Sequence, residues 1–382
     1  MRPIYLDCAA TTPLDPAVAE VVRLYQEEEF GNSGSRTHDY GARAKQAVQK
    51  ARDQIASVVG ASRDDVVLTS GATEANNIAI LGLREFGLAE KRQHVVCSAI
   101  EHKAVLEPIT FLGSSGFSAD VLLVESNGRL DPDRLVEALR PDTLLVSVMH
   151  VNNETGVVQP LEELCVALKG HGAYLHVDAS QGFGKDLAAL RNPRIDMLSV
   201  SAHKIYGPKG VGALVLRKRR FERPPLKPLM FGGGQERGLR PGTLPVALVA
   251  GLGEAAERAI SDFDRRKARV NELRSQAQHA MTGLGAVPNG SDNHRLPHFY
   301  NFSVPGVDSE AIMVALKDTV AVSNGSACTS TSYSGSHVLK AMGLSEDRVS
   351  SAIRMSWCHL TPEIPWATVV NRVTQLQGIA AA

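Results

Sequence analysis

The feature that most limits the fold is a regular alternation of strand-like segments with helical patterns over the first 200 residues. Val48, Ala51 and Ile55 recur at helical spacing, Gly60 suits a helix C-cap, and residues 65–69 follow as an apolar strand. Further strands are predicted at residues 94–98, 121–124, 143–150, 174–178 and 197–201, with helical patterns at 131–140 and 160–168. This alternation predicts an α/β domain built on a mostly parallel sheet.

The character of the sequence changes after a long helical pattern over residues 244–281, which we expect to break near Ser261. The segments that follow predict a compact α+β unit, with a strand at 301–303, a helix at 309–317, a strand near 321 and a further segment at 350–356. We therefore predict two domains, a large one over residues 13–255 and a small one formed by residues 1–12 and 256–382.

Composition narrows the classes of function. Lys and Arg total 41, as do Asp and Glu, and this balance argues against a nucleic-acid binder that works through bulk charge. No apolar run reaches the roughly 18 residues that span a bilayer, and the early Asp7 argues against a signal peptide. The cysteines at 8, 97, 165, 328 and 358 form no C-x-x-C pair, which favours a reducing cytoplasm. His294 and His298 lack a third ligand, so we predict no metal site.

Three segments place chemically useful groups just after predicted strands. Residues 70–74 (SGATE) open a helix whose free N–H groups suit a phosphate, although Thr73 could simply cap that helix. Asp178 ends a buried strand, where a carboxylate needs a cationic partner or serves as a helix cap. Lys204 follows the next strand, where desolvation can make a lysine nucleophilic; the alternative is a surface lysine in a turn.

Two glycine- and serine-rich segments complete the set of candidates. Residues 231–243 (FGGGQERGLRPGT) combine glycines with Arg237, Arg240 and Thr243, which suits an anion site or a plain surface loop. Residues 323–336 hold Cys328 among small polar residues, which suits a reactive thiol or an inert one. A phosphate turn, a strand-end aspartate and a Ser-x-His-Lys about 25 residues later together fit a pyridoxal phosphate site.

The sequence resembles the cysteine desulfurases of the NifS/IscS family, within the fold-type I pyridoxal phosphate superfamily. The matching stretches run in family order over nearly the whole chain: residues 5–13, 31–38, 69–74, 101–105, 150–158, 176–179, 203–210, 232–243 and 325–329. The resemblance implies a homodimeric enzyme with a large domain on a mostly parallel mixed sheet and a smaller α+β domain.

The resemblance also implies roles for individual residues. Lys204 carries the cofactor as an imine, Asp178 pairs with its pyridine nitrogen, and Gln181 pairs with its ring hydroxyl. His102 stacks on the ring and shuttles a proton. The residues implied in phosphate binding are Ala72, Thr73, Ser201, His203 and, from a second subunit, Thr243. Those implied in holding the substrate carboxylate are Asn153, which also contacts the cofactor, and Arg354.

The implied reaction converts L-cysteine to L-alanine and leaves the sulfur as a persulfide on Cys328. The implied recipient is an acceptor protein from an iron–sulfur cluster assembly, tRNA-thiolation or DNA phosphorothioation system. We expect no membrane partner and no direct binding of nucleic acid. The alternatives are a selenocysteine lyase or another pyridoxal phosphate-dependent β-lyase of the same fold, and a non-enzymatic sulfur-relay or scaffold subunit.

Two motifs depart from the family pattern. Cys8 stands where the family usually has Asn or Tyr. Near the C-terminus, Cys358 and His359 follow Arg354-Met-Ser-Trp357 in place of the family's Gly-Arg.

Overall fold

A seven-stranded sheet organises the larger part of the chain in the computed structural model, which describes residues 2–325 and 335–380. Strand β1 (Ile4–Tyr5) lies outside this sheet. The strands of the sheet, in chain order, are β2 (Val66–Thr69), β3 (His94–Ser98), β4 (Ser118–Leu122), β5 (Thr143–Met149), β6 (Tyr174–Asp178), β7 (Met197–Ser201) and β8 (Gly212–Leu216).

The sheet order is β2-β8-β7-β6-β5-β3-β4, and its neighbours pair in parallel except where β8 runs antiparallel to β7 and β2. Every residue of β3, β5, β7 and β8 is buried, because helices cover both faces of the sheet. This confirms the predicted α/β class with a mostly parallel mixed sheet. The carboxyl ends of β2, β5, β6 and β7 consequently meet at one edge.

The helices of this part are α1 (Pro16–Glu27), α2 (Asp39–Val59), α3 (Ala72–Leu81), α4 (Arg84–Ala89), α5 (Lys103–Gly113), α6 (Pro132–Ala138), α7 (Leu161–Ala167) and α8 (Val246–Ser261). Their ends follow ordinary capping rules. The Asp15 side chain accepts a hydrogen bond from the Ala17 N–H at the start of α1. Helix α2 ends at Gly60, whose φ of 67° is the left-handed conformation that glycine adopts without strain.

A smaller α+β unit follows. Its further strands are β9 (Val287–Pro288), β10 (Phe299–Ser303), β11 (Val320–Ala321) and β12 (Ala352–Ser356), and its helices are α9 (Phe263–Thr282), α10 (Ser309–Leu316), α11 (His337–Ala341), α12 (Glu346–Ser350) and α13 (Trp366–Ala380). Strands β9, β10 and β12 form an antiparallel sheet, and β1 pairs in parallel with β11. The N-terminal residues thus contact this unit.

Separate apolar clusters underlie the two parts. Val249 and Ala256 of α8 pack with α2 and one face of the large sheet, whereas Val270 of α9 packs with Leu6 and the strands of the smaller sheet. Val338 of α11 belongs to the cluster of the large sheet, so the smaller unit also rests on that sheet. The division into residues 13–255 and the remainder stays a prediction.

Most predicted elements recur with boundaries shifted by a few residues. The long helical pattern breaks at Asp262, between α8 and α9, close to the expected position at Ser261. The strand predicted at residues 121–124 begins earlier, at Ser118. Strand β8 was not predicted from the sequence. It runs antiparallel to β7, and no α-helix separates the two strands, so the strand–helix alternation that predicts the other strands does not reveal it.

The buried Arg217 guanidinium, just after β8, joins several segments of the large part. It donates hydrogen bonds to the carbonyl oxygens of Val59 at the end of α2 and of Leu190, Asn192 and Ile195 before β7. We predict that Arg217→Met lowers the free energy of unfolding by about 3 kcal/mol, because buried carbonyls lose their donors. Chemical denaturation checks this against Lys218→Met, an exposed neighbour. Equal stability of the two variants would contradict the prediction.

Candidate active site

A cavity of about 510 Å³ opens at the edge where β2, β5, β6 and β7 end. It brings together ten of the twelve predicted site residues: Ala72, Thr73, His102, Asn153, Asp178, Gln181, Ser201, His203, Lys204 and Arg354. Thr243 does not line this cavity and is exposed. Cys328 lies outside the described residues.

One end of the cavity is suited to an anion. Helix α3 begins after Gly71 (φ 156°), and no side chain caps its first N–H groups, so Thr73 is not the N-cap that the alternative interpretation proposed. A Cβ atom on Gly212 would lie 2.6 Å from the Gly71 Cα, so the two backbones meet where only glycine fits. Ser201 and Lys209 line the same cavity. Free helix N–H groups, a hydroxyl and an ammonium group suit a phosphate.

The Asp178 carboxylate at the end of β6 is held by three hydrogen bonds. Its Oδ2 accepts from Asn76 Nδ2 at 2.8 Å, and its Oδ1 accepts from the Ser180 N–H at 2.9 Å and from the Ser180 hydroxyl. These donors stabilise the ionised carboxylate and fix its orientation. Sequence reasoning missed Asn76 and Ser180, because the contact between Asn76 and Asp178 spans 102 residues.

The Lys204 side chain reaches across the cavity to the N-terminal segment. Its Nζ donates to the carbonyl oxygens of Ala9 at 2.6 Å and Ala10 at 2.8 Å. Gln181 Nε2 donates to the same Ala9 oxygen at 2.8 Å. The N-terminal turn therefore forms part of the site wall and positions the lysine, a role that residue-by-residue reasoning did not assign to Ala9 and Ala10.

Two histidines in the cavity favour the neutral form. Burial lowers the pKa of His102, and its Nδ1 accepts a hydrogen bond from the Ala104 N–H, so the neutral ring carries its proton on Nε2. Burial, reinforced by the positive charges of Lys204 and Lys209, lowers the pKa of His203 to about 4. A neutral His203 Nδ1 lies 3.1 Å from the Thr11 hydroxyl oxygen.

Arg354, on β12, brings a buried positive charge to the opposite wall. Its Nη2 forms an ion pair with Asp7 Oδ1 at 2.6 Å, and its Nη1 donates to the Asn153 carbonyl oxygen at 2.9 Å. These two interactions fix the orientation of the guanidinium, although Cys358 and His359 stand nearby in place of the family's Gly-Arg pair. Asp7 is a further positioning residue that the sequence motifs did not single out.

The two ends of the segment that carries Cys328 are anchored at this wall. Ser323 exchanges two backbone hydrogen bonds with Arg354. On the other side, the Ser336 hydroxyl donates to Glu154 Oε2 at 2.5 Å, and Glu154 follows Asn153 directly. Burial raises the pKa of the Glu154 carboxyl. Both anchor points therefore lie next to residues of the cavity wall.

Residues 2–325 and 335–380 contain neither a cluster of metal ligands nor a helix that could span a membrane. Among the described residues, no group of three or more His, Cys, Asp or Glu side chains is arranged to hold a metal ion. In the same ranges, no helix has both the length and the hydrophobicity that a bilayer crossing requires.

Comparisons with known proteins agree with this arrangement. The aminotransferase class-V family matches residues 4–363, and the chain belongs to that family. It is 47% identical over 375 residues to cysteine desulfurase IscS of Anaeromyxobacter sp. (strain Fw109-5), covering 98% of this chain and 92% of the relative. The structure of DndA from Streptomyces lividans is 50% identical with a TM-score of 0.82, covering 93% and 99% of the two chains. That of SspA in complex with cysteine is 37% identical with a TM-score of 0.82, covering 94% and 99%.

The fold is that of the fold-type I pyridoxal phosphate enzymes, and pyridoxal phosphate is the cofactor of this family. The donor set in the cavity fits this group. The uncapped start of α3 matches its phosphate, the Asp178 carboxylate matches a protonated pyridine nitrogen, and Lys204 is a primary amine within the same cavity.

We predict that the His203 ring is neutral at pH 6 and that its pKa rises in Lys209→Gln, because a nearby positive charge is removed. Lys209 is exposed, so its replacement leaves the fold intact. Nitrogen-15 NMR titration of the histidines in the cofactor-free protein measures both values. A midpoint near the ordinary histidine value in both proteins would show that the cavity does not exert this effect.

Proposed function

We propose that the protein is a pyridoxal phosphate-dependent cysteine desulfurase, which converts L-cysteine to L-alanine and takes up the sulfur as a persulfide on Cys328. The observation that supports this most strongly is a single cavity containing Lys204, Asp178 and the free start of α3. Arg354 at the wall of that cavity exchanges backbone hydrogen bonds with Ser323, at the start of the segment that carries Cys328.

The cofactor-binding roles follow from chemistry and placement. The N–H groups of Ala72 and Thr73, with Ser201 and His203, hold the phosphate, and a neutral His203 can donate or accept a hydrogen bond there. Asp178, fixed by Asn76 and Ser180, pairs with the pyridine nitrogen. Gln181 pairs with the ring hydroxyl through a hydrogen bond, and the neutral His102 ring stacks on the cofactor. When bound, pyridoxal phosphate supplies an electron sink for charge that develops at the substrate Cα.

The substrate is oriented by its carboxylate. The Arg354 guanidinium, buried and held by Asp7 and the Asn153 carbonyl, presents a fixed positive charge to that carboxylate. Asn153 offers a side-chain amide from the adjacent position. Lys204 Nζ, held at the Ala9 and Ala10 carbonyl oxygens, then takes the proton from the substrate Cα.

Cys328 accepts the sulfur of the substrate. Its thiolate attacks the substrate Sγ, the bond between Cβ and Sγ breaks, and the sulfur remains on Cys328 as a persulfide. The anchors at Ser323 and Ser336 support this role, because they fix both ends of the segment beside Arg354 and Glu154. The persulfide then passes its sulfur to an acceptor protein of an iron–sulfur, tRNA-thiolation or DNA phosphorothioation system.

A second copy of the chain completes the phosphate site through Thr243. The loop that carries Thr243 is held by two ion pairs, a buried one between Arg52 and Glu236 and a partly buried one between Arg240 and Glu74. Thr243 itself does not line the cavity of its own chain and is exposed. The nearby Phe231 side chain is 89% exposed, which suits burial against a partner subunit.

We place the enzyme in a reducing compartment, the cytoplasm. The cysteines at 8, 97, 165 and 358 are free thiols in the described part of the chain, as expected where disulfides do not persist.

We predict that Lys204→Ala abolishes both the visible absorbance band of the bound cofactor and all turnover, because the primary amine is lost. Cys328→Ser is expected to keep the band, and still to respond spectrally to L-cysteine, but to form no persulfide. Absorbance spectra and mass spectrometry of alkylated protein measure these outcomes. Desulfuration by Cys328→Ser at the wild-type rate, with release of free sulfide, would instead indicate a β-lyase or selenocysteine lyase.

We further predict that Asn76→Asp weakens cofactor binding at least tenfold, because it replaces the amide donor beside Asp178 Oδ2 with a second carboxylate that repels the first. Fluorescence titration of cofactor-free protein with pyridoxal phosphate measures the affinity. Asn77→Asp is the matched control, since Asn77 lies one position along α3 and donates only to the Thr73 carbonyl oxygen in this structure. Equal affinities in the two variants would contradict the role assigned to Asn76.

A further inference from the structure

Two of the residues that depart from the family pattern, Cys8 and Cys358, lie together in the structure. Both are buried, with 4% and 1% of their surface exposed, and they form one cluster with Tyr206. The Cys8 N–H donates to the Ser356 carbonyl oxygen at 3.2 Å, which aligns the N-terminal segment with the end of β12.

The surroundings make the two thiols unequal. The neighbouring Cys8 thiol, the Leu360 N–H and the Thr361 hydroxyl, whose oxygen lies 3.7 Å from the Cys358 sulfur, lower the pKa of Cys358 to about 7. The neighbouring Cys358 and burial raise the pKa of Cys8. Of the two cysteines, Cys358 is therefore the one whose thiol ionises more readily.

A partly buried lysine strengthens this effect. Lys185 lines the same narrow crevice as Cys8 and His298, and this crevice shares Ala9 with the lining of the cofactor cavity. Its charge favours the thiolate form of both cysteines, while burial lowers its own pKa to about 8. Asp7 and Tyr206 are the other titratable groups that interact with the pair. A thiolate, a partnered thiol and a nearby ammonium group are the elements of a reactive dithiol.

We propose that Cys8 and Cys358 form a redox-active dithiol site that hydrogen peroxide converts to a disulfide. The Cys358 thiolate attacks one peroxide oxygen, the O–O bond breaks, and the departing hydroxide takes a proton to become water. The Cys8 sulfur, giving up its proton, then displaces the second oxygen from Cys358 as water. In total, two thiols and one peroxide yield one disulfide and two waters. The burial of both sulfurs restricts the oxidant to small molecules of this kind.

The site is coupled to the cofactor cavity through two carbonyl oxygens. Ala9 and Ala10, the residues that follow Cys8, accept the hydrogen bonds from Lys204 Nζ, and Ala9 also accepts from Gln181. A disulfide brings two packed sulfurs to about 2.05 Å from each other, and the N-terminal turn must follow. Oxidation therefore displaces the acceptors of Lys204. The disulfide itself is independent of the proposed function, and only this effect on Lys204 rests on it.

The test uses the holoenzyme of Cys328→Ser, so that peroxide meets no thiol at position 328. After treatment with a small molar excess of hydrogen peroxide, non-reducing digestion and mass spectrometry are expected to show the Cys8 and Cys358 peptides joined, with the loss of two hydrogens. Dithiothreitol should restore both thiols. Separate alkylation of Cys8 and Cys358 after peroxide treatment would overturn the proposal. This measurement needs no substitution at either cysteine.

One variant of the pair and one control variant provide a second test. Cys8→Ser should leave Cys358 as a sulfenic acid that dimedone traps, whereas Cys165→Ser should leave the cross-link unchanged, because Cys165 is buried elsewhere with its pKa raised to about 11. The visible band of the cofactor should shift reversibly on oxidation. A complete cross-link without any spectral shift would overturn the coupling to Lys204 and not the proposed function.

Discussion

The parallel pairing of β5, β6 and β7 is the constraint on which the site depends. In register, Asp178 at the end of β6 lies between Met149 of β5 and Ser199 of β7. The strand that ends with Asp178 and the strand that leads to Lys204 therefore finish at the same edge, although 26 residues separate the two side chains in sequence. The uncapped start of α3 faces the same cavity. One sheet edge thus provides a carboxylate, an amine and an anion site.

A second constraint is the way the N-terminal turn and the smaller unit close this edge. Lys204 and Gln181 both donate to the Ala9 carbonyl oxygen, while Asp7 forms an ion pair with Arg354. These bonds join residues 172 to 347 positions apart in the sequence, so the site exists only in the fully assembled fold. The same turn carries Cys8, which places a reactive pair of thiols directly behind the catalytic cavity.

The sequence could predict what depends on local pattern. The alternation of strands and helices led to the α/β class, and the residues at strand ends, Asp178 and Lys204, were found because parallel strands bring their carboxyl ends together. Strand β8 was missed, since its antiparallel return leaves no periodic signal. Asn76 was missed because its donation to Asp178 depends on the rotation of α3 against β6. The meeting of Cys8 with Cys358 depends on a register across 350 residues, which no local pattern contains.

The most direct measurement is to fix the cofactor on its lysine by borohydride reduction of the holoenzyme and to find the modified peptide by mass spectrometry. Lys185 provides an internal comparison, because it is a partly buried lysine with a lowered pKa, and the crevice that it lines shares Ala9 with the cofactor cavity. The account predicts a phosphopyridoxyl group on Lys204 and none on Lys185. Modification of Lys185, or of neither lysine, would contradict it.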